Sequence, residues 1–185
     1  MTMNSSTPAI LIRSKDLAKN VKAFAGCLEL LPKTPKTVLD IRYGLGGWAK
    51  ELRRRYPKVA ITGYEADPST YNTAFRDSLT NVYCGMFDGS KRGYRVDLLV
   101  ADFNTLTTLK RKELEEALAI VKCQWLIFTD VACSKLHLNY RSYGLEEPDL
   151  NAYWDEFDVE GYRLAGWARE HHAASTAIYQ RKEPH

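Results

Sequence analysis

Apolar residues along this chain occur in two kinds of segment. Short runs of consecutive apolar residues, such as 96–101, are typical of buried strands. Segments in which apolar residues recur three or four positions apart, as between Leu17 and Leu31, are typical of helices. Because the two kinds alternate, the sequence predicts an α/β three-layer sandwich with a mostly parallel sheet. The predicted strands are 38–39, 59–64, 81–87, 96–101, 125–128, 162–168 and 175–180, and the predicted helices are 14–31, 48–56, 68–79, 110–121 and 150–157.

The last two predicted strands are separated by the short segment 169–174. A parallel crossover between two strands needs roughly a dozen residues or more, and this segment is shorter. The two strands are therefore predicted to form an antiparallel hairpin at the end of the sheet.

The segment from Thr37 to Pro68 is predicted to form one strand–turn–helix–strand unit. Its first strand ends in the turn Gly44-Leu45-Gly46-Gly47, and its second strand ends at Glu65, 21 positions after Gly44. Glycine lets a ligand approach the backbone closely, and the helix that follows directs its first amide groups to the same place. A carboxylate at the end of the second strand can accept hydrogen bonds from both hydroxyls of a ribose. The unit therefore predicts a nucleoside-binding site.

Acidic residues follow several of the predicted strands, namely Asp40, Glu65, Asp88 and Asp102. Ligands of open α/β sheets bind beyond the carboxyl ends of the strands, so one ligand site is expected at this edge. Glu65 is the predicted ribose ligand because it lies nearest the end of its strand. Asp67 is instead placed to cap the helix that follows it.

In the order and spacing of these features, the chain resembles the class I S-adenosylmethionine-dependent methyltransferases. Residues 40–48, Asp-Ile-Arg-Tyr-Gly-Leu-Gly-Gly-Trp, match the first motif of that family. Glu65 matches its ribose-binding acid, and Phe87-Asp88 stand where an apolar residue and an acid usually frame the adenine. Asp102-Phe103-Asn104 occupy the position after the fourth strand that often lines the methyl-transfer site. The resemblance covers about 37–180, which is nearly the whole chain.

The resemblance implies a Rossmann-like sheet of seven strands whose last strand is antiparallel. It also implies an enzyme that uses S-adenosylmethionine (SAM) as its cofactor and transfers a methyl group to an acceptor that the sequence does not identify. Its candidate catalytic residues are Asp102 and Asn104. Its implied cofactor-binding residues are Asp40, Arg42, Gly44, Gly46, Glu65, Phe87, Asp88 and Asp102.

Arg42 departs from the family pattern, because many members carry glycine at this position. A guanidinium can pair with the carboxylate of the ligand, or it can crowd the methionine end of the site. The second possibility leaves open a non-catalytic module that keeps the fold in order to bind nucleic acid or protein.

The turn also satisfies the dinucleotide fingerprint as Gly44-x-Gly46-x-x-Ala49, with Glu65 at a suitable distance. An NAD-binding oxidoreductase is therefore a third interpretation. The acid Asp40 directly before the turn and the terminal hairpin favour the methyltransferase.

The nature of the acceptor is open. Asn104 lacks the prolines and the aromatic residue of the Asn-Pro-Pro-Tyr type of amino-methylating enzyme, and no histidine stands out as a general base. His137 lies in the irregular segment 131–149, which is expected to shape the acceptor pocket. The basic runs 53–55 and 110–112 are expected on solvated helix faces, and together they are the possible footprint of a nucleic acid.

Composition adds few constraints. The 185 residues are predicted to form one domain, with 1–36 as a helical cover and 37–185 as the core. The net charge of +3 does not demand a nucleic-acid partner. No apolar run approaches the length of a membrane span. The four cysteines show no metal-ligand spacing, so no metal is expected, and they are typical of a reduced cytoplasmic protein.

Overall fold

The structure, a computed structural model, describes residues 14–88, 93–102, 108–130, 158–169 and 175–183. Within these ranges strands and helices alternate in the predicted order. The helices are α1 (Ser14–Leu28), α2 (Gly47–Arg55), α3 (Pro68–Thr73) and α4 (Thr108–Ile120). The strands are β1 (Thr37–Asp40), β2 (Ala60–Glu65), β3 (Thr80–Cys84), β4 (Tyr94–Asp102), β5 (Val121–Asp130), β6 (Tyr162–Arg169) and β7 (Ser175–Arg181).

The strands form one seven-stranded sheet in the order β3-β2-β1-β4-β5-β7-β6. The first five strands pair in parallel, whereas β7 is antiparallel to both β5 and β6. The predicted fold class and the terminal hairpin are therefore confirmed. The order reverses direction at β1, so the carboxyl ends of β1 and β4 flank the place where open α/β sheets bind their ligands.

The sheet is covered by apolar packing on both faces. Along β4, Leu99 packs with α4 residues such as Leu114, whereas the neighbouring Val100 packs with Phe24 of α1 and Leu52 of α2. Successive side chains of a strand point to opposite faces, which is why adjacent apolar residues supply two separate cores.

Helix α1 packs against α2 and against strands β5, β6 and β7. The ring of Phe24 stacks on that of Trp48 with 4.2 Å between centroids, and the thiol of Cys27 donates a hydrogen bond to the carbonyl of Thr176 at 3.2 Å. Phe24, Cys27 and Leu28 of α1 are thus core residues. No helix within the described ranges is both long and apolar enough to cross a membrane.

Several predicted boundaries are wrong. The helix expected at 68–79 ends at Thr73, because Ala74 takes an extended backbone conformation. The third strand was expected to reach Phe87, but it ends at Cys84, because Gly85 takes a φ of 132° that does not continue a strand. Val121 was expected on the apolar face of a helix, but it opens β5, where it pairs in register with Tyr94. The predicted helix 150–157 lies outside the described residues.

The described cysteines are free thiols. Burial raises the pKa of Cys27 to about 12 and that of Cys123 to about 11. Both thiols therefore stay protonated near neutral pH and behave as small apolar core residues.

Gly63 in β2 lies directly under the buried ring of Tyr43. A Cβ at this position would overlap Cδ2 of the ring and lie 2.8 Å from its Cγ. We expect Gly63→Ala to lower the free energy of unfolding by about 1–3 kcal/mol, because overpacking forces buried groups to move. Urea denaturation measures the change. The control is Gly93→Ala, whose Cβ would lie 4.0 Å from the Ile120 carbonyl oxygen, its nearest contact among the described residues. Equal stability of the two variants would contradict the expectation.

Candidate functional site

The glycine turn connects the end of β1 to the start of α2. Gly44 and Gly46 both have positive φ, at 57° and 77°, and the amide of Gly46 donates to the carbonyl of Tyr43 at 3.0 Å. A Cβ at Gly46 would lie 2.9 Å from Cε1 of Tyr43 and 2.9 Å from Cβ of Phe75. A Cβ at Gly44 would meet no atom of the described residues within 4 Å. Gly46 is therefore required for packing, whereas the backbone at Gly44 is open to a ligand.

Glu65, the last residue of β2, reaches across to this turn. Its Oε2 accepts a hydrogen bond from the amide of Gly44 at 2.8 Å, and its Oε1 accepts one from the amide of Asp67 at 2.8 Å. An ionised carboxylate has about four acceptor positions, so these two bonds leave capacity for the two hydroxyls of a ribose. The structure places the predicted ribose ligand beside the open backbone of Gly44.

Asp67 has a different role from Glu65. Its Oδ2 accepts hydrogen bonds from the amide of Thr70 at 2.8 Å and from the hydroxyl of Ser69 at 2.7 Å, at the start of α3. The hydroxyl of Thr70, followed by that of Ser69, lowers the pKa of Asp67 to about 2. Asp67 is the N-cap of α3, as the sequence indicated.

Asp40, at the end of β1, is only 2% exposed. Its Oδ1 accepts a hydrogen bond from the amide of Arg42 at 3.0 Å. Burial raises the pKa of Asp40 to about 8, and the negative charges of Asp102 and Glu65 add to the increase despite the Arg42 hydrogen bond. These interactions bring the three predicted acids of β1, β2 and β4 into one electrostatic group, and a group of this kind favours a cationic ligand.

The Arg42 side chain is held by α4. Its Nε donates to Oε1 of Glu113 at 3.2 Å, and its Nη2 forms an ion pair with Oε2 of the same residue. The bidentate pair directs the guanidinium to a protein carboxylate, and no atom of Arg42 lies within 4 Å of the Cβ position at Gly44. Sequence reasoning missed this pair, because 71 positions separate its members. The assignment of Arg42 to the cofactor remains a prediction.

Phe87 packs in an aromatic cluster. Its ring makes an edge contact with Tyr64 at 5.2 Å and lies 5.5 Å from Tyr94, whose hydroxyl is 2.7 Å from that of Tyr64. Burial, the Tyr94 hydroxyl and the charge of Asp88 raise the pKa of Tyr64. The sequence predicted Phe87 and Asp88 at the end of the third strand, but that strand ends at Cys84, which is in register with Glu65. Their contact with adenine remains a prediction that lacks the support of the strand end.

Asp102 ends β4 and is in register with Thr129 of β5. It lies two residues beyond Val100, the partner of Asp40 on the neighbouring strand, and its charge raises the pKa of the buried Asp40 further. Asn104 lies outside the described residues, as do His137 and the segment 131–149 expected to shape the acceptor pocket. Within the described ranges, no three His, Cys, Asp or Glu side chains are grouped so that they could hold a metal ion.

The arginines of the basic run 53–55 pair with carboxylates of the same chain. Arg53 pairs with Asp77 through Nε and Oδ2 at 2.6 Å. Arg54 and Arg55 both pair with Glu51, at 2.7 and 3.0 Å. Lys112, from the second basic run, lies 3.7 Å from Glu116. These contacts favour the solvated helix face over a nucleic-acid footprint.

Comparisons with known proteins identify the fold. No protein-family model and no curated protein matches this chain in sequence. Among solved structures, the chain is similar to the plantazolicin methyltransferase BpumL in complex with a monoazolic desmethylPZN analog and SAH, with a TM-score of 0.63, 14% identity, and coverage of 92% of this chain and 86% of that one. It is also similar to an O-methyltransferase family protein from Burkholderia thailandensis, with a TM-score of 0.63, 16% identity and coverage of 90% and 56%. A third similar structure is human N-acetylserotonin methyltransferase in complex with SAM, with a TM-score of 0.58, 15% identity and coverage of 86% and 52%. The chain therefore has the Rossmann-like fold of the class I SAM-dependent methyltransferases.

Proposed function

We propose that this protein is a SAM-dependent methyltransferase whose cofactor lies between the Gly44 turn and Glu65. The observation that carries the proposal is the hydrogen bond from the Gly44 amide to Oε2 of Glu65. It joins open backbone to a carboxylate that has spare acceptor positions, which is the combination that a ribose requires. The fold supports the proposal, as do the similar structures crystallised with SAH or SAM.

The charges of the site fit SAM better than a dinucleotide. SAM carries a positive sulfonium and a positive amino group, and it would face Asp40 together with Glu65 and Asp102, whose charges both act on Asp40. The pyrophosphate of NAD is an anion, and the carboxylates of Glu65 and Asp102 would repel it. The NAD-binding oxidoreductase is therefore the weaker interpretation.

When bound, SAM supplies a methyl group that is already activated on a sulfonium. The task left to the chain is to align the reacting atoms and to keep water away from them. In this proposal the backbone of Gly44 permits close approach, Glu65 orients the ribose, and Asp40 stabilises the positive end of the ligand. Asp102 lies at the rim where an acceptor would enter and remains the candidate catalytic residue, together with Asn104.

The non-catalytic interpretation depended on Arg42 filling the crevice. The Arg42 guanidinium pairs with Glu113 instead, and the Gly44 position is open among the described residues. These contacts favour cofactor binding over a site that keeps only the fold.

Isothermal titration calorimetry of the purified chain tests the proposal directly. We expect SAM and S-adenosylhomocysteine to bind with dissociation constants between about 1 μM and 1 mM, the range in which enzymes commonly hold their substrates. NAD serves as the comparison ligand and is expected to give no heat of binding. Absence of binding by both sulfur nucleosides would reject the proposal, and binding of NAD alone would replace it with the oxidoreductase.

A further inference from the structure

A groove of about 940 Å³ opens at the edge of the sheet opposite the candidate cofactor site. Its lining includes Arg95 and Lys122, which are the second residues of β4 and β5, and Arg181, which ends the antiparallel β7. Strands rise about 3.3 Å per residue, so the stretch of β4 from Arg95 to Asp102 separates the two sites by roughly 23 Å. We call this cavity the amino-rim groove. It is too far from Asp102 to be part of the acceptor pocket.

Four cationic side chains from separate segments of the chain line the amino-rim groove, namely Lys33, Arg95, Lys122 and Arg181. All four are exposed, and within the described residues no carboxylate forms an ion pair with them. The arginines of α2 and Arg42, by contrast, all have carboxylate partners. A concentration of unpaired positive charge in one concave site attracts anions.

The one carboxylate in the lining does not neutralise these cations. Oδ2 of Asp97 accepts hydrogen bonds from the amides of Lys36 at 2.7 Å and Thr37 at 3.0 Å. The hydroxyl of Thr37 donates to the same oxygen at 3.3 Å. Asp97 therefore anchors the start of β1, and the electrostatic balance of the groove remains positive.

The strand register places two of the cations side by side. Arg95 and Lys122 are direct partners on the neighbouring parallel strands β4 and β5. Like charges directly opposite one another on adjacent strands destabilise a sheet. An anion bound between them would turn this repulsion into two favourable contacts. The charge of Arg181 also reaches the buried Cys123 in the groove wall and partly offsets the rise that burial causes in the pKa of that thiol.

We propose that the amino-rim groove binds a ligand that carries two or more phosphate groups, with Arg95 and Lys122 as its central contacts. Its volume lies in the range of about 300–1,000 Å³ that is usual for small-ligand sites. Guanidinium and ammonium groups are the side chains that hold phosphate oxygens. Trp125, which is partly exposed, lies in the same wall and would offer an apolar surface to a base attached to the phosphates. The phosphates can belong to a free nucleotide or to a single-stranded nucleic acid.

The test compares two probes on the full chain, inorganic tripolyphosphate by calorimetry and a short fluorescein-labelled single-stranded RNA by fluorescence anisotropy. The variant Arg95→Gln/Lys122→Gln removes the two central charges. The matched control Lys50→Gln/Lys58→Gln removes the same amount of charge from exposed positions elsewhere. We expect the groove variant to bind at least about tenfold more weakly, because a charge-assisted contact is worth roughly a factor of ten, and we expect the control to change binding less than about twofold.

Each outcome decides the matter. Groove-dependent binding of tripolyphosphate supports the proposal with a free nucleotide as the source of the phosphates. Groove-dependent binding of RNA alone supports it with a nucleic acid as the source. In that case the slope of log K against the logarithm of the salt concentration is expected to be smaller by about one to two in the groove variant than in the unaltered chain. No binding of either probe, or equal losses in the groove variant and the control, overturns it.

The groove variant has a second readout that needs no ligand. Removal of the like-charged pair is expected to raise the melting temperature of the free protein, because cross-strand repulsion is relieved. A lower melting temperature would contradict the register argument. SAM titration of the same variant is expected to be unchanged, so failure of this proposal is distinguishable from failure of the proposed function.

Discussion

Glu65→Gln is expected to weaken SAM binding by about tenfold to a hundredfold. A hydrogen bond to a charged group contributes about 1.5–3 kcal/mol, and the glutamine removes the charge that strengthens the bonds to the ribose hydroxyls. The side-chain amide would also turn a donor toward the amide of Gly44 or that of Asp67, both of which now donate to the carboxylate. With the donor toward Gly44, the glycine turn would lose the hydrogen bond that joins it to the end of β2. Calorimetric titration with SAM measures the change in affinity.

Asp67→Asn is the matched control for this experiment, because it alters an acid two positions away that serves as the cap of α3. We expect SAM affinity to stay within about twofold of the original value, since an asparagine is also a good N-cap. If Glu65→Gln binds SAM as tightly as the unaltered chain, Glu65 is not the ribose ligand. If Asp67→Asn shows the larger loss, the two acids have been assigned in the wrong order.

Asp40→Asn is expected to remove a decline in stability that the unaltered protein shows as pH rises. The pKa of Asp40 is raised from its ordinary value of about 4 to about 8 in the folded state. Between these values the folded chain keeps a proton that the unfolded chain loses, so the free energy of unfolding falls with increasing pH by up to about 1.4 kcal/mol per unit. The contribution of protonated Asp40 to the free energy of unfolding is fully present below about pH 4 and is lost as the pH rises through about 8. Asparagine cannot ionise, so the free energy of unfolding of Asp40→Asn increases relative to that of the unaltered chain as the pH rises.

Urea denaturation at several pH values between about 5 and 8 measures this difference. Glu160→Gln is the control, because it removes one carboxylate from an exposed position. A second measurement concerns the cofactor: a bound cation favours ionised Asp40, so SAM binding near neutral pH is expected to release a proton. Calorimetry in buffers of different ionisation enthalpy detects the release, and Asp40→Asn should abolish it. Equal pH slopes for Asp40→Asn and the unaltered chain would show that Asp40 is ionised in the free protein.

The sequence alone predicted the elements that depend on near neighbours. The alternation of apolar runs and helical spacing indicated the strands and α1, and the short link 169–174 predicted the antiparallel hairpin that the structure contains. The cap formed by Asp67 was also predictable, because a capping side chain bonds to an amide only three residues away. The predicted end of the third strand at Phe87 was wrong, because the composition of the segment did not reveal the backbone conformation of Gly85.

The tertiary structure decided which residues of the predicted site are available to a ligand. Gly44 and Gly46 are equivalent in the sequence motif, but the ring of Tyr43 lies against Gly46 and leaves Gly44 open. The role of Arg42 was open in the sequence, and its pairing with Glu113 is visible only in the structure. The raised pKa of Asp40 depends first on its burial and then on acids from other strands. The amino-rim groove likewise exists only because strand order brings distant cations together. The physical reason is common to all of these features: propensities and caps act over a few residues, whereas burial and charge depend on which segments the sheet places side by side.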